Sequence, residues 1–146
     1  MVNKHYEYLS FNSNTTYYFQ SEGKQGIIPK VIVFTPLEDD DWNLAFGDLY
    51  QTDIDDAVIS NNHDIVKVLS TIAKVVYEFS AHYPSRNIII EPVDEKRKKL
   101  YNHVFRRNYE DICLVFDVIG TVNGKKEAYS SKKTYDIFKL KRKFVQ

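Results

Sequence analysis

One cysteine, four prolines and five glycines are all that 146 residues supply of the strongest structural punctuation, alongside one tryptophan and one methionine. A lone cysteine excludes an internal disulfide and with it the stapled secreted scaffolds. Cys113 lies in the apolar run from Ile112 to Phe116, where a buried, inert thiol is expected. No apolar stretch approaches the roughly 20 residues that span a bilayer. Met1 to Tyr6 hold no apolar signal core, so a soluble, cytoplasmic protein with no membrane segment is the expectation. Net charge is absent as well, since 20 Lys and Arg balance 20 Asp and Glu. Whole-molecule attraction to a polyanion is thereby excluded, and any such attraction must be local.

What is present suits one domain over residues 1–146, with a single core and ordinary hydrophobic content. Eleven tyrosines and nine phenylalanines bring large apolar area, half of it with a polar tip, which fits sheet faces and contact surfaces. The zero net charge conceals a division. Residues 1–60 carry three Lys and Arg against ten Asp and Glu, whereas residues 61–146 carry seventeen against ten. Attraction between the halves or solvated faces explains this, and so does a basic face for an acidic partner.

The chain is organised around residues 60–105, which predict helix, strand, helix. Ile65, Val68, Leu69, Ile72, Val75, Val76 and Phe79 share one face of a 3.6-residue period. Tyr83-Pro84 ends that helix, because proline cannot continue it. Asn87 to Ile90 is a short β-branched strand of the buried kind. Asp94 then caps a second helix that carries Lys96, Arg97, Lys98 and Lys99 before Leu100, Tyr101, Val104 and Phe105.

On either side of this frame the pattern is that of strands. Residues 1–14 suit a first edge strand. Thr15 to Gln20 and Ile27 to Thr35 form a hairpin across a turn at Ser21 to Gly26, and Trp42 to Tyr50 a third strand. Ala57 to Ile59 suits a further short strand. After the second helix, Ile112 to Ile119 predicts a strand and Gly120 to Gly124 two turns. Lys125 to Lys133 suits a lysine-rich loop, and Thr134 to Leu140 a last strand. The fold class expected is α+β: a mixed, mostly antiparallel sheet with two central helices in the order β-β-β-α-β-α-β-β.

Chemistry is harder to find. Glu38 to Asp41 are contiguous carboxylates without the spacing or glycine of a calcium loop. His5, His63, His82 and His103 match no zinc spacing, so no metal and no cofactor are assigned. His63-Asp64 suits a helix start, and no nucleophile is paired with an evident base. The balance leans away from an enzyme.

The order of elements over residues 15–140 resembles the GCN5-related N-acetyltransferase fold. That resemblance implies acetyl-CoA pyrophosphate at the N-terminus of the first central helix, where free N–H groups and the helix dipole select anions. The family pattern there is Arg or Gln followed by glycines, whereas Ser60-Asn61-Asn62-His63-Asp64-Ile65 has neither arginine nor glycine. Leu100-Tyr101 is similar to a pair whose tyrosine protonates the departing thiolate, which would give Tyr101 that role. A longer likeness rests on Tyr17 to Gly23, Asn43 to Asp48, Ser60 to Asn62 and Lys96 to Tyr101. Together these resemble an uncharacterised family of small bacterial proteins frequent in Bacteroidota, implying a bacterial cytoplasmic setting.

Three functions follow. The first is a non-catalytic protein-interaction or regulatory protein, one half of a bacterial two-gene pair of the toxin–antitoxin or defence type, with a protein partner and an open question of homo-oligomers. The second is a divergent N-acyltransferase using acyl-CoA, with Tyr101 as acid. The third is a nucleic-acid-binding module in which Lys96, Arg97, Lys98, Lys99, Arg106 and Arg107 contact phosphates. Neighbouring residues on a helix lie about 100° apart, so four consecutive cations cannot share one direction.

Overall fold

The apolar period from Ile65 and the β-branched run at Asn87 build the elements that the sequence predicts. The computed structural model describes residues 4–49 and 63–143. It contains β1 (Tyr8–Phe11), β2 (Thr16–Gly23), β3 (Gly26–Pro36), β4 (Asp41–Asp48), α1 (Ile65–His82), β5 (Asn87–Ile90), α2 (Glu95–Ile112), β6 (Phe116–Val122), β7 (Lys125–Ala128) and β8 (Ile137–Arg142). The strands follow the order β1-β2-β3-β4-β5-β8-β6-β7 in one sheet. β4 and β5 run parallel, with Trp42 opposite Ile88. The pairings β1–β2, β2–β3, β5–β8, β6–β7 and β6–β8 are antiparallel. The expected α+β class and order are therefore present, extended by the edge strand β1 and by β7. The expected strand at Ala57 to Ile59, the acidic residues Asp53, Asp55 and Asp56, and the capping run Ser60 to Asn62 lie outside the described residues.

The chain divides into two compact units, Met1–Thr35 with Leu44–Tyr83, and Pro36–Asn43 with Pro84–Gln146. In the first, α1 lies on Tyr17, Phe19, Ile32 and Phe34 of the sheet, all buried with Val68, Val75 and Phe79. Phe34 and Phe79 stack in parallel at 3.8 Å, and the Tyr83 amide closes the helix on the Phe79 carbonyl. The buried face is centred on Val68, Thr71, Val75 and Phe79. Ile65, placed on that face by its period, is 40% exposed, and Leu69 is half-buried at its border. In the second unit α2 stacks Phe105 on Phe138 of β8 at 4.1 Å.

Five local expectations are corrected. The turn after β2 is only Lys24-Gln25, because Gly23 and Gly26 still pair and Gly26 takes a positive φ of 88°. α2 continues to Ile112, since Tyr101, Phe105, Tyr109 and Ile112 prolong the helical period, and a turn then precedes β6. That ending leaves Cys113 half-buried rather than buried, its thiol donating to the Glu110 carbonyl at 3.3 Å. Gly120 lies inside β6 under the Tyr135 ring, and the turn falls at Asn123-Gly124, with φ of 52° and 76°. Lys125 to Ala128 are strand, not loop, because they return antiparallel along β6.

Two substitutions test this packing by urea denaturation. Phe79→Ala should cost about 3–5 kcal/mol, as truncation of a buried aromatic does, and more than Leu69→Ala. Gly120→Ala, whose methyl must displace the Tyr135 ring, should cost about 1–3 kcal/mol.

Candidate functional site

Asp94 opens α2 as its N-cap, accepting the Arg97 amide at 2.8 Å. The helical period then separates the six predicted cations. Arg97 turns inward, is 2% exposed, and its guanidinium pairs with the Asp94 carboxylate. Lys98 pairs with Asp136 at 2.6 Å. Lys96, Lys99, Arg106 and Arg107 are exposed, with His103 among them. At about 100° per residue, these five residues fall within one arc opposite Phe105. Glu110 lies at the C-terminal end of the same arc. Tyr101 is half-buried on the inward flank, away from this stripe.

The Arg106 Nε donates to the Ser131 carbonyl at 3.2 Å. That contact brings the turn after β7 against the helix, and exposed Lys132 with it. The turn is held from beneath. Asn102 is a two-sided clamp, its amide donating to the Tyr135 carbonyl at 2.9 Å and its Oδ1 accepting the Tyr135 amide at 2.8 Å. The Tyr135 hydroxyl donates to Glu127 and accepts the Ser130 amide. Tyr129 packs between Phe105, Tyr109 and Tyr135. Burial raises the Tyr129 hydroxyl pKa, against the pull of the nearby Arg106 charge. Lys133 is taken by Glu127 at 3.0 Å. Among the described residues, Lys96, Lys99, Arg106, Arg107 and Lys132 make no ion pair.

The sequence did not reveal Asn102 or Asp136 as partners. The one available signal for Asn102 was a polar residue on the inward face, one turn after Lys98. Asp136 becomes a partner only through the antiparallel return of β8.

A second polar cluster surrounds the start of α1. Asp64 makes no side-chain cap. Its carboxylate instead accepts the Tyr6 hydroxyl at 2.6 Å and the Ser21 hydroxyl at 2.5 Å. Burial and then the Asp64 hydrogen bond raise the Tyr6 pKa. Lys67 Nζ sits 4.2 Å over the Tyr6 ring. Deeper in the same unit, Lys30 and Asp48 pair at 2.7 Å, 1% and 7% exposed. Ser21 is fully buried too, so neither the hydroxyl nor the amine reaches solvent as a nucleophile. Among the described residues, no group of three or more His, Cys, Asp or Glu is placed to hold a metal ion. No helix there is long and apolar enough to cross a membrane.

Fold and surface thus define an α+β protein with a mixed, mostly antiparallel eight-stranded sheet and two helices, one of which turns a basic stripe outward. The chain belongs to a family of unknown function, DUF6934, whose model matches residues 2–143. No curated protein and no solved structure matches it significantly.

The Lys98 hydrogen bond and then the Asn123 amide hold the Asp136 carboxyl below its ordinary value, while Asp136 raises Lys98. A depressed carboxyl stabilises the fold fully above the unfolded value of about 4, and that contribution is lost as pH falls through the lower folded value. Asp136→Asn should therefore lower the urea midpoint at neutral pH, and its deficit should shrink in acid. A deficit that grows on acidification would contradict the pairing.

Proposed function

We propose that the protein is a non-catalytic interaction or regulatory protein that presents the outward face of α2 to an acidic partner. One observation carries this: the helix neutralises Arg97 and Lys98 internally and leaves Lys96, Lys99, Arg106 and Arg107 exposed without an ion pair among the described residues. Exposed, unmatched cations add little to stability, but their summed field steers an acidic partner. In a chain of zero net charge, such a field is a local property of this face. A bacterial cytoplasmic setting, and pairing with the product of a neighbouring gene of the toxin–antitoxin or defence type, belong to the same reading.

The order of elements supports a second reading, a divergent acyl-CoA-dependent N-acyltransferase with Tyr101 as proton donor. Against it stands Asp64, whose carboxylate lies at the start of α1, where that chemistry needs room for a pyrophosphate. A carboxylate about 4 Å from a phosphate opposes it by roughly 1–4 kcal/mol, depending on exposure.

Two measurements separate these readings. On immobilised heparin at neutral pH the protein should be retained despite its zero net charge, and Lys99→Glu with Arg107→Glu should elute at lower salt. Passage without retention at low salt would remove the basic-face reading. Isothermal titration with acetyl-CoA should show no binding. Micromolar affinity would promote the acyltransferase, and Tyr101→Phe should then slow turnover without weakening binding.

A further inference from the structure

Resting on the reading of this face as a binding surface, we infer that its ligand is the phosphate backbone of a nucleic-acid duplex. From Lys96 to Arg107 the stripe runs about 16 Å, at 1.5 Å per residue. It places a cation or His103 at every turn along that length. Lys132 extends it sideways through the Arg106–Ser131 contact. A row of cations on a rigid helix matches a row of fixed anions, which a phosphodiester backbone offers and a folded acidic protein seldom does.

What the stripe lacks narrows the ligand further. Protein–protein interfaces are built on apolar and aromatic anchors in a desolvated centre. None of the large exposed apolar residues lies on α2; the nearest, Val93 and Leu114, lie just beyond its two ends. Phe105 and Tyr109 of the helix face inward, onto Phe138 and Tyr129. Single-stranded nucleic acid is held largely by base stacking on exposed aromatic rings, and this surface offers no Phe, Tyr or Trp ring, only the imidazole of His103. Base edges are read by free amide or guanidinium forks, and on this face the exposed Arg107 is such a fork. Asn108 beside Arg107 is already engaged, donating to the Val104 carbonyl at 2.8 Å. Backbone contact with a duplex is the chemistry that a row of cations on one rigid helix favours.

The test is fluorescence anisotropy of the full chain against labelled duplex DNA, duplex RNA and single-stranded DNA of one length, with a poly-glutamate peptide as an acidic-protein probe. Four to five phosphate contacts predict that log K falls with log salt at a slope of about −3.5 to −4.5 for duplex DNA. That is a loss of roughly a hundredfold or more for a fourfold rise in salt. Lys99→Glu with Arg107→Glu should flatten the slope by about 2, whereas Lys74→Glu, a reversal on α1, should leave it unchanged. Circular dichroism confirms that each variant is folded. The stronger of the two duplexes identifies the source of the backbone. Heparin retention without duplex binding at low salt overturns this inference and leaves the binding face standing. Tighter binding of poly-glutamate assigns the face to an acidic protein, and tighter binding of single strands removes the duplex. A slope that Lys99→Glu with Arg107→Glu does not alter places binding elsewhere and also overturns it.

Discussion

The parallel stack of Phe105 on Phe138 at 4.1 Å fixes the rotation of α2 about its axis, and the character of its surface follows from that one contact. With Phe105 inward, a period of 3.6 residues per turn sends Lys98 and Asn102 towards β8 and the turn before it, and Lys96, Lys99 and His103 towards solvent. A rotation of about a third of a turn would expose Lys98 and strip Asp136 of its cation. It would also pull Asn102 from both backbone groups of Tyr135, leaving buried polar atoms unsatisfied at about 1–3 kcal/mol each. The stack alone is a modest aromatic contact. The hydrogen bonds that depend on the same rotation make it specific.

Buried polar groups elsewhere follow the same logic. Lys30 and Asp48 lie inside the first unit as a pair, and removing one partner would strand a charge out of water. Tyr6, Ser21 and Asp64 tie the segment before β1 and the strand β2 to the start of α1. In this cluster the hydroxyls and carboxylate are engaged with one another and shielded. The exposed side of α2 presents the reverse, cations on a solvated face that make no ion pair among the described residues.

Much of the fold was legible because it rests on local periodicity. The 3.6-residue period from Ile65, the stop at Tyr83-Pro84, the strand at Asn87 and the cap at Asp94 are encoded within a few residues of where they act. The misplaced boundaries between Gly120 and Ala128 have one cause, which is contact between strands. Gly120 looks like a turn residue, yet it is glycine because Tyr135, fifteen positions later, lies over it. Lys125 to Ala128 look like loop and become strand through β6. The candidate site was half legible. That four consecutive cations must diverge is a property of any helix. Which two would be neutralised required Asp136, brought near by the return of β8, and the inward turn of Phe105. Lys132 joins the stripe only through the carbonyl of Ser131, which no side-chain pattern announces.

The division of the lysines between inward and outward faces is the claim on which the account turns, and residue-resolved lysine acetylation read by mass spectrometry measures it directly. Under limiting acetylating reagent at neutral pH, Lys96, Lys99 and Lys132 should react fastest, Lys98 more slowly because Asp136 holds its ammonium, and Lys30 least because it is 1% exposed. Lys98 reacting as fast as Lys96 and Lys99, or either of those two being protected, would contradict the rotation of α2 and the basic face built on it.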